Sequence, residues 1–209
     1  MKKYVIYAGV NGAGKSTLYY ADSHEDFYRI NTDEIVRKMG KWEDVDLQMR
    51  AGIIAVRKIR EYFDNGVSFN QETTLCGHAI MNNIQKAKAL GYCIEMHYIG
   101  LKDVELAKKR VKDRVKKGGH GIQDSLIEKR YSMSLDNLNK AIPLCDKVVI
   151  YDNSVSFVKI AEFETGNIIW INEEVEADWF INNVLNKFEK GCDTKREDNQ
   201  RKFPELKKR

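Results

Sequence analysis

Short apolar runs alternate along the chain with longer stretches in which apolar residues recur every three or four positions. The short runs are rich in β-branched and aromatic residues and predict buried strands, while the 3.6-residue period predicts amphipathic helices. The predicted strands are 3–8, 27–30, 67–74, 92–99 and 146–151, and the predicted long helices are 15–22, 43–64, 77–90, 103–117, 123–140 and 177–189. A hairpin pairs 158–163 with 168–171 across a turn at 165–167. Strands that alternate with helices predict an α/β sandwich with a mostly parallel five-stranded sheet, followed by a small C-terminal hairpin and helix.

Polar residues stand at the ends of four predicted strands, although the strand bodies are apolar. A glycine-rich segment follows the first strand, Asp33 follows the second, Glu72-Thr73-Thr74 ends the third, and Asp152-Asn153-Ser154 ends the fifth. Ligands of such sheets bind beyond the carboxyl ends of the strands. The pattern therefore predicts a single active site at this edge of the sheet.

The glycine-rich segment fits the phosphate-binding pattern of glycine, four residues, glycine, lysine and serine or threonine. Its candidate nucleotide-binding residues are Gly9, Asn11, Gly12, Ala13, Gly14, Lys15, Ser16 and Thr17. The glycines allow backbone dihedrals that a side chain would forbid, so that main-chain N–H groups can surround a polyphosphate beside a helix N-terminus. Lys15 brings a positive charge to the outer phosphates, and the Ser16 hydroxyl is the candidate magnesium ligand. Because a strand precedes the segment and a helix follows it, the pattern predicts binding of ATP and Mg²⁺.

Asp33 is the candidate general base, because a kinase that acts on a hydroxyl needs a carboxylate beside the attacking oxygen. The alternative is a carboxylate that only stabilises the N-terminus of a short helix, which Asn31 or Thr32 would cap. Arg37 lies one helical turn after Asp33 and is either a ligand for an anionic acceptor or a surface arginine.

The third strand ends in three further candidates for acceptor binding, Glu72, Thr73 and Thr74. Glu72 could bind acceptor hydroxyls or orient magnesium-bound water. The two threonines could bind the same acceptor or simply belong to a strand-to-helix turn.

The helix at 103–117 is strongly basic and ends at Gly118-Gly119, a plausible hinge for a mobile lid. Arginine suits a phosphate better than lysine because its guanidinium can form two parallel hydrogen bonds. Arg114 and Arg130 are therefore the candidate catalytic arginines of the lid, with Arg110 third, and Arg110 and Asn153 are candidate nucleotide ligands. Most of the lysines are expected to form a solvated face, and His120 is a weaker candidate for phosphate contact.

The overall composition is typical of a soluble globular protein and does not indicate a substrate. The chain has 209 residues, of which 43% are hydrophobic and 32% charged, as expected for one soluble domain at 1–190 and a basic tail at 191–209. Residues 187–209 carry nine basic and five acidic side chains, and the rest of the chain is balanced, which gives no support to binding of long nucleic acid. The tail is either a solvated, partly disordered end or a contact for an acidic partner.

The spacing of the cysteines and the length of the apolar runs give a prediction of the cellular compartment. Cys76, Cys93, Cys145 and Cys192 are too scattered for a zinc site. No apolar run reaches the roughly 18 residues of a membrane span, and Met1-Lys2-Lys3 leads directly into a strand. We therefore expect a cytoplasmic protein without a membrane partner.

Together these segments resemble the zeta toxin family of P-loop kinases, most of all its short bacterial members. The segments that carry the resemblance are Gly9–Thr17, Asp33–Arg37, Glu72–Leu75, Arg110–Arg114, Gly118–His120 and Glu128–Tyr131, within about residues 3–155. The glycine loop is common to all P-loop proteins, whereas the Glu-Thr-Thr strand end combined with Gly-Gly-His and Lys-Arg-Tyr is more specific. Larger members differ in the arginine spacing of the lid and in the segment after the Glu-Thr strand.

The resemblance implies a three-layer P-loop kinase fold with a helical lid. It also implies Mg²⁺- and ATP-dependent transfer of the γ-phosphate to a sugar hydroxyl, which in studied relatives belongs to UDP-N-acetylglucosamine, and a possible antitoxin partner. It assigns the base to Asp33, phosphate and magnesium to Lys15 and Ser16, and the acceptor to Glu72 and Arg37. Arg114 and Arg130 would reach the phosphates.

Two alternatives remain open from the sequence. One is a nucleoside or polynucleotide kinase that uses the same loop and lid. The other is a non-catalytic ATP-binding regulatory module that pairs with an inhibitory protein.

Overall fold

The computed structural model describes residues 1–22, 27–42 and 44–188. The seven strands are β1 Lys3–Ala8, β2 Tyr28–Ile30, β3 Phe69–Thr73, β4 Cys93–Gly100, β5 Lys147–Asp152, β6 Val158–Glu164 and β7 Asn167–Ile171. The helices are α1 Lys15–Ala21, α2 Thr32–Met39, α3 Val45–Asn65, α4 His78–Ala89, α5 Val104–Lys116, α6 Asp124–Ala141 and α7 Asp178–Phe180. A 3₁₀ turn at Ile142–Leu144 follows α6, and a π-helical turn at Ile181–Leu185 continues α7. The predicted basic tail at 191–209 lies outside the described residues.

All seven strands belong to one sheet in the order β2-β3-β1-β4-β5-β6-β7. The first five in this order are parallel, while β6 and β7 are antiparallel to their neighbours. The prediction of a five-stranded sheet with a separate hairpin was therefore wrong in its strand count. The connection from β5 to β6 is too short for a parallel crossover, so the hairpin turns back and extends the sheet. Ala161 and Phe163 of β6 then face the same core as Val148 of β5.

The main hydrophobic core lies on one face of the sheet. Alternate strand residues such as Tyr4, Ile94 and Met96 point to this face and are fully buried. Residues of α3, α4, α6 and α7 pack against them, including Phe63 and Ile84. Burial of these apolar side chains is the main free-energy gain that holds the layers together.

The opposite face of the sheet is covered by α1 and by a smaller apolar cluster. Tyr7 of β1 meets Tyr19 of α1 edge to face, with ring centroids 5.5 Å apart. The smaller cluster joins Val10 and Ala13 of the glycine segment to Val111 of α5 and Ile127 of α6. The sheet thus lies between two helical layers, and the start of the lid is packed directly against the glycine segment.

Side-chain caps fix where the helices that flank the cleft begin. Asn31 caps α2 through its Oδ1, which accepts hydrogen bonds from the backbone N–H groups of Asp33 and Glu34 at 2.9 and 3.3 Å. Asp44 and Asp103 cap α3 and α5 in the same way. Of the two caps predicted for α2, the structure therefore uses Asn31, and this places Asp33 in the first turn.

No helix in the described part of the chain combines the length and the apolar character needed to cross a bilayer.

Candidate active site

The polar residues that follow β1, β2 and β3 open into one cleft of about 790 Å³. The sequence-predicted residues that line it are Asn11, Gly12, Lys15, Ser16, Asp33, Arg37, Glu72, Thr73, Thr74, Arg114, His120 and Arg130. These residues come from the glycine segment, α2, the end of β3, and the lid formed by α5, the loop at 117–123 and α6. The structure therefore brings together groups that lie up to 119 residues apart in sequence.

The glycine segment forms a tight loop between β1 and α1. Gly14 adopts a φ of 99° at the N-cap of α1, a conformation that glycine enters without steric cost. A Cβ on Gly9 would stand 2.3 Å from the backbone oxygen of Ile99, so the loop can lie this close to β4 only with glycine there.

Lys15 is the buried cation of the loop, with 8% of its surface exposed. Its Nζ donates a hydrogen bond to the backbone oxygen of Val10 at 3.0 Å. Burial lowers the pKa of Lys15, while the nearby carboxylates of Glu72 and Asp33 act in the opposite direction. A buried cation held by one carbonyl is well suited to receive an anion such as a phosphate group.

Glu72, at the end of β3, is the centre of a hydrogen-bond network. The Ser16 hydroxyl lies 3.1 and 3.0 Å from its two carboxylate oxygens. Its Oε2 also accepts from Arg29 at 3.0 Å and from the amide of Asn31 at 2.9 Å. Arg29 is itself fixed by Glu34, at 2.9 Å, and its guanidinium lies 3.3 Å from the ring centroid of Tyr19. The carboxylate is therefore held in one orientation beside the Ser16 hydroxyl.

These oxygen donors suit Mg²⁺, which prefers oxygen ligands and usually binds through one or two protein groups together with substrate phosphates. No cluster of three or more His, Cys, Asp or Glu side chains that could hold a metal occurs in residues 1–22, 27–42 and 44–188. A magnesium ion at Ser16 and Glu72 would therefore need phosphate oxygens to complete its coordination.

Asp33 faces the lid from the first turn of α2. Its Oδ2 lies 3.1 Å from Nε2 of His120, within ion-pair distance. The His120 ring also stacks on Trp42, with ring centroids 3.7 Å apart. Burial would raise the pKa of Asp33, but the contact with His120 and the positive charges of Lys15 and Arg114 lower it below its usual value. The carboxylate is therefore ionised at neutral pH, as a general base must be.

Two arginines of the lid reach the cleft by different routes. Arg114 donates from Nε to the backbone oxygen of His120 at 3.1 Å, and one of its terminal nitrogens is buried without a hydrogen-bond partner. Arg130 donates to the side-chain oxygen of Asn11 in the glycine loop at 3.1 Å. With Lys15 they place three positive charges around one region of the cleft, which favours a polyphosphate.

Several predicted residues do not line the cleft. Gly9, Ala13, Gly14 and Thr17 belong to the loop and the start of α1 but lie behind or beside the cleft wall, and Thr17 is exposed. Asn153 donates to the backbone oxygen of Ala13 at 2.9 Å and so braces the outer side of the loop. Arg110 packs against Gly12 and lies 3.5 Å from the backbone oxygen of Ser154.

The other polar residues at the end of β5 do not join the site. The Asp152 carboxylate accepts from the Ser154 hydroxyl at 2.6 Å and from the Trp179 indole at 2.8 Å. The expectation that all four polar strand ends share one crevice therefore fails for these two residues, because their side chains are used to hold α7 and the turn after β5.

The site also contains residues that the sequence did not single out. Arg29 was placed only within a strand, and Asn31 was considered only as a helix cap, yet both hold Glu72. Trp42, Gln48 and Gln71 line the cleft as well. The one available signal was the position of Arg29 within an otherwise apolar strand, where a buried charge needs partners.

No known family model matches the sequence. A protein of Haemophilus influenzae (strain Rd), described as uncharacterized, is 32% identical over 129 residues, which are 62% of this chain and 92% of that protein. This chain belongs to the same family as that protein. The relationship fixes the family without assigning an activity.

Solved structures identify the fold. The AvrRxo1-ORF1:-ORF2 crystal structure with ATP matches with a TM-score of 0.66 and 14% identity, over 88% of this chain and 63% of that one. The PezAT toxin–antitoxin system of Streptococcus pneumoniae matches with a TM-score of 0.56 and 18% identity, over 75% of this chain and 69% of the other. The Pnkp1/Rnl/Hen1 RNA repair complex matches at 0.53 and 20%, over 66% and 46%. The mixed α/β fold of this chain is thus similar to the fold of these structures, and this chain spans less than two thirds of the AvrRxo1 chain.

Proposed function

We propose that this protein is an ATP-dependent kinase that transfers the γ-phosphate to a hydroxyl of a small molecule, a nucleotide sugar such as UDP-N-acetylglucosamine. The observation that carries the proposal is the position of Asp33 in the same cleft as the phosphate loop. The cleft is lined by the cations Lys15, Arg114 and Arg130, and the carboxylates of Asp33 and Glu72 lie near them.

The lining residues fall into two sets, one suited to the nucleotide and the other to the acceptor. Lys15 and the backbone of the glycine loop bind the β- and γ-phosphates, and Arg114 and Arg130 neutralise charge on the transferring group. The acceptor lies on the side of α2, where Arg37 offers a cation for an anionic part of the molecule and Thr73 and Thr74 offer hydrogen-bond partners. A volume of about 790 Å³ lies within the usual range of small-molecule sites, about 300–1,000 Å³.

Asp33 accepts the proton of the attacking hydroxyl while the oxygen forms its bond to the γ-phosphorus. The bond between this phosphorus and the bridging oxygen of ADP breaks, and the electron pair leaves with ADP. The products are ADP and the phosphorylated acceptor, and the proton passes from Asp33 to solvent. Closure of the lid over the loop excludes water that would otherwise accept the phosphoryl group.

Ser16 and Glu72 would hold Mg²⁺, the first directly and the second directly or through a bound water. When bound, the ion neutralises negative charge on the phosphates and fixes their orientation. The hydrogen bonds from Arg29 and Asn31 keep the Glu72 carboxylate pointed at Ser16.

Control by a partner protein belongs to the same proposal. The PezAT match is to a toxin–antitoxin system, and the AvrRxo1 match is to a complex of two chains. We propose that this chain is the kinase of a toxin–antitoxin pair in the cytoplasm.

Incubation of the purified protein with ATP, Mg²⁺ and a panel of nucleotide sugars, followed by mass spectrometry of the products, tests the proposal. The expected result is a gain of one phosphate by one class of acceptor, with an equal amount of ADP formed. The panel includes nucleosides and RNA 5′-hydroxyl ends, so that transfer to these would identify the nucleoside or polynucleotide kinase instead. ATP binding without transfer to any acceptor would favour the regulatory module and contradict the kinase.

A further inference from the structure

The turn between β3 and α4 contains a strained residue, Leu75. Its φ is 58°, a left-handed conformation that leucine rarely adopts because its Cβ crowds the backbone. The Leu75 side chain is fully buried in the main core, so the core fixes one side of the turn. Strained backbone of this kind persists only where its surroundings hold it, and it is concentrated at functional sites.

The other side of the same turn faces the cleft. Thr73 and Thr74, which precede Leu75, both line the cleft. The Thr73 hydroxyl accepts a hydrogen bond from the backbone N–H of Leu75 at 3.0 Å, and a hydroxyl that accepts one bond can still donate another to a ligand. This hydrogen bond fixes the Thr73 side chain, and the φ of Leu75 fixes the peptide group that it shares with Thr74.

Asn137 of α6 holds Leu75 in its strained conformation. Its Nδ2 donates a hydrogen bond to the backbone oxygen of Leu75 at 2.9 Å, and Asn137 is only 9% exposed. Because a buried carbonyl without a donor is unfavourable, this bond favours the strained turn over one in which the carbonyl points elsewhere. The Sγ of Cys76 forms a second link, since it lies 3.2 Å from the backbone oxygen of Arg130 and 3.3 Å from that of Thr74. The helix α6 is thus joined to the turn at two points.

The same helix also reaches the phosphate side of the cleft. Arg130 and Asn137 are two helical turns apart, so they lie on one face of α6, separated by about 10 Å along its axis. Arg130 donates to the side-chain oxygen of Asn11 in the glycine segment at 3.1 Å. One face of α6 therefore contacts both the glycine segment and the turn that carries Thr73 and Thr74.

We propose that Asn137 is a positioning residue for the acceptor and acts through Leu75 and the two threonines. The inference rests on the proposed kinase function, which assigns Thr73 and Thr74 to the acceptor. Asn137 is not among the residues that line the cleft, so it does not touch either substrate. It keeps the turn at the distance from the glycine segment that lets the acceptor hydroxyl meet the γ-phosphate. A displacement of about 1 Å at a reacting group can cost about 10²-fold in rate.

Steady-state kinetics of Asn137→Ala with ATP, Mg²⁺ and the acceptor found in the panel test the inference. We expect kcat/KM for the acceptor to fall by about 10²-fold, while the Kd of ATP measured by calorimetry stays unchanged. The matched control is Asn139→Ala on the same helix, because Nδ2 of Asn139 donates to the backbone oxygens of Leu135 and Asn183 at 3.0 and 2.8 Å. This variant also loses hydrogen bonds to the main chain, but it should keep the wild-type kcat/KM for the acceptor.

Amide hydrogen exchange shows whether the kinetic effect arises in the turn. Asn137→Ala should exchange faster than the wild type at residues 73–76 and at the wild-type rate at residues 9–17. Thermal unfolding confirms that each variant is folded. If Asn137→Ala does not fold, Asn137→Leu fills the space that alanine leaves without supplying a donor, and the same kinetic loss is expected.

The outcomes separate this inference from the proposed function. A wild type that transfers phosphate to no acceptor contradicts the kinase and this inference together. If the wild type does transfer phosphate, equal kcat/KM values for Asn137→Ala and Asn139→Ala overturn the inference and leave the kinase standing. A loss of kcat/KM without faster exchange at residues 73–76, or with an equal loss of ATP affinity, overturns it as well, because the effect would not pass through the turn.

Discussion

Nε2 of His120 lies 3.1 Å from Oδ2 of Asp33, which joins the lid to the residue proposed as the base. The same ring stacks on Trp42 at the rim of the cleft. Through this contact the lid reaches the acceptor side of the proposed site, and His120 helps to lower the pKa of the Asp33 carboxyl. An acceptor hydroxyl would have to share or displace this contact in order to reach the base.

The contact gives a prediction for the pH dependence of catalysis. Because burial raises the pKa of Asp33 and His120 helps to lower it, His120→Ala should move the acidic limb of the kcat/KM profile to higher pH. The measurement is kcat/KM between pH 4 and 8, with His78→Ala, an exposed histidine outside the site, as the control. The pKa of Asp33 is lower in the folded protein than its unfolded value of about 3.9. Ionisation of this carboxyl therefore stabilises the fold at a pH above about 3.9, and the stabilisation is lost as the pH falls through the folded pKa. An unchanged acidic limb would show that His120 does not tune the base.

Lys15→Ala should weaken ATP binding by about ten- to hundredfold, the loss expected for a hydrogen bond to a charged group, and should abolish transfer. The fold should not lose stability, because the change removes a buried cation whose desolvation lowers its pKa. Calorimetric titration with ATP and thermal unfolding provide the two readouts. Lys109→Ala, an exposed lysine of α5, should change neither.

Asp33→Asn should lower kcat by about 10²–10⁴-fold, the range for loss of a general base, and should leave ATP affinity nearly unchanged. Single-turnover measurements with the acceptor identified in the panel separate these quantities. Asp64→Asn, on the exposed end of α3, is the matched control. A variant that keeps full turnover would remove Asp33 from the role of base.

Arg29→Lys should release Glu72, because lysine cannot contact Glu72, Glu34 and Asn70 together as the guanidinium does. We expect a higher Mg²⁺ requirement for activity and a loss of about 1–3 kcal/mol in unfolding free energy, because a partly buried network is broken. A magnesium titration of the rate at fixed ATP distinguishes the two effects. A variant that loses stability but keeps the wild-type magnesium dependence would make Arg29 purely structural.

Gly9→Ala should destabilise the fold by about 2–5 kcal/mol, because the new Cβ would overlap the backbone oxygen of Ile99 and because φ at this position is 141°. Denaturant unfolding measures the loss. Gly52→Ala adds the same methyl group where nothing lies within 4 Å and should instead stabilise the helix by about 0.5–1 kcal/mol. Equal effects of the two substitutions would contradict the steric argument.

The sequence predicted correctly those parts of the molecule whose structure follows from local patterns of residues. The apolar run rich in β-branched and aromatic residues placed β1 at its observed bounds, 3–8, and the glycine spacing located the tight loop between β1 and α1. Ligands of parallel sheets bind beyond the carboxyl ends of the strands, and this rule predicted that Asp33 and Glu72 share a cleft with Lys15, as they do. These predictions required only the order of strands and helices along the chain, because the carboxyl ends of parallel strands lie at a common edge of the sheet.

The remaining features depend on side-chain directions that no local pattern encodes. Asp152 turns to Trp179, which is 27 residues away, rather than into the cleft. The partners of Arg29 lie up to 43 residues away on another strand, and its position in an apolar strand indicates that it needs partners without showing which ones they are. The hairpin was visible as two strands, but its pairing with β5 was decided by packing against the shared core.

The hydrogen bond from Lys15 to the Val10 carbonyl has a consequence for the encounter with a nucleotide. The ammonium group donates to a main-chain oxygen of the same loop, so the loop's own backbone sets the position of this charge. Association then exchanges one acceptor for another and does not require a chain segment to become ordered. Nucleotide capture by this protein should therefore show the fast kinetics and small loss of conformational entropy that are typical of a rigid receptor.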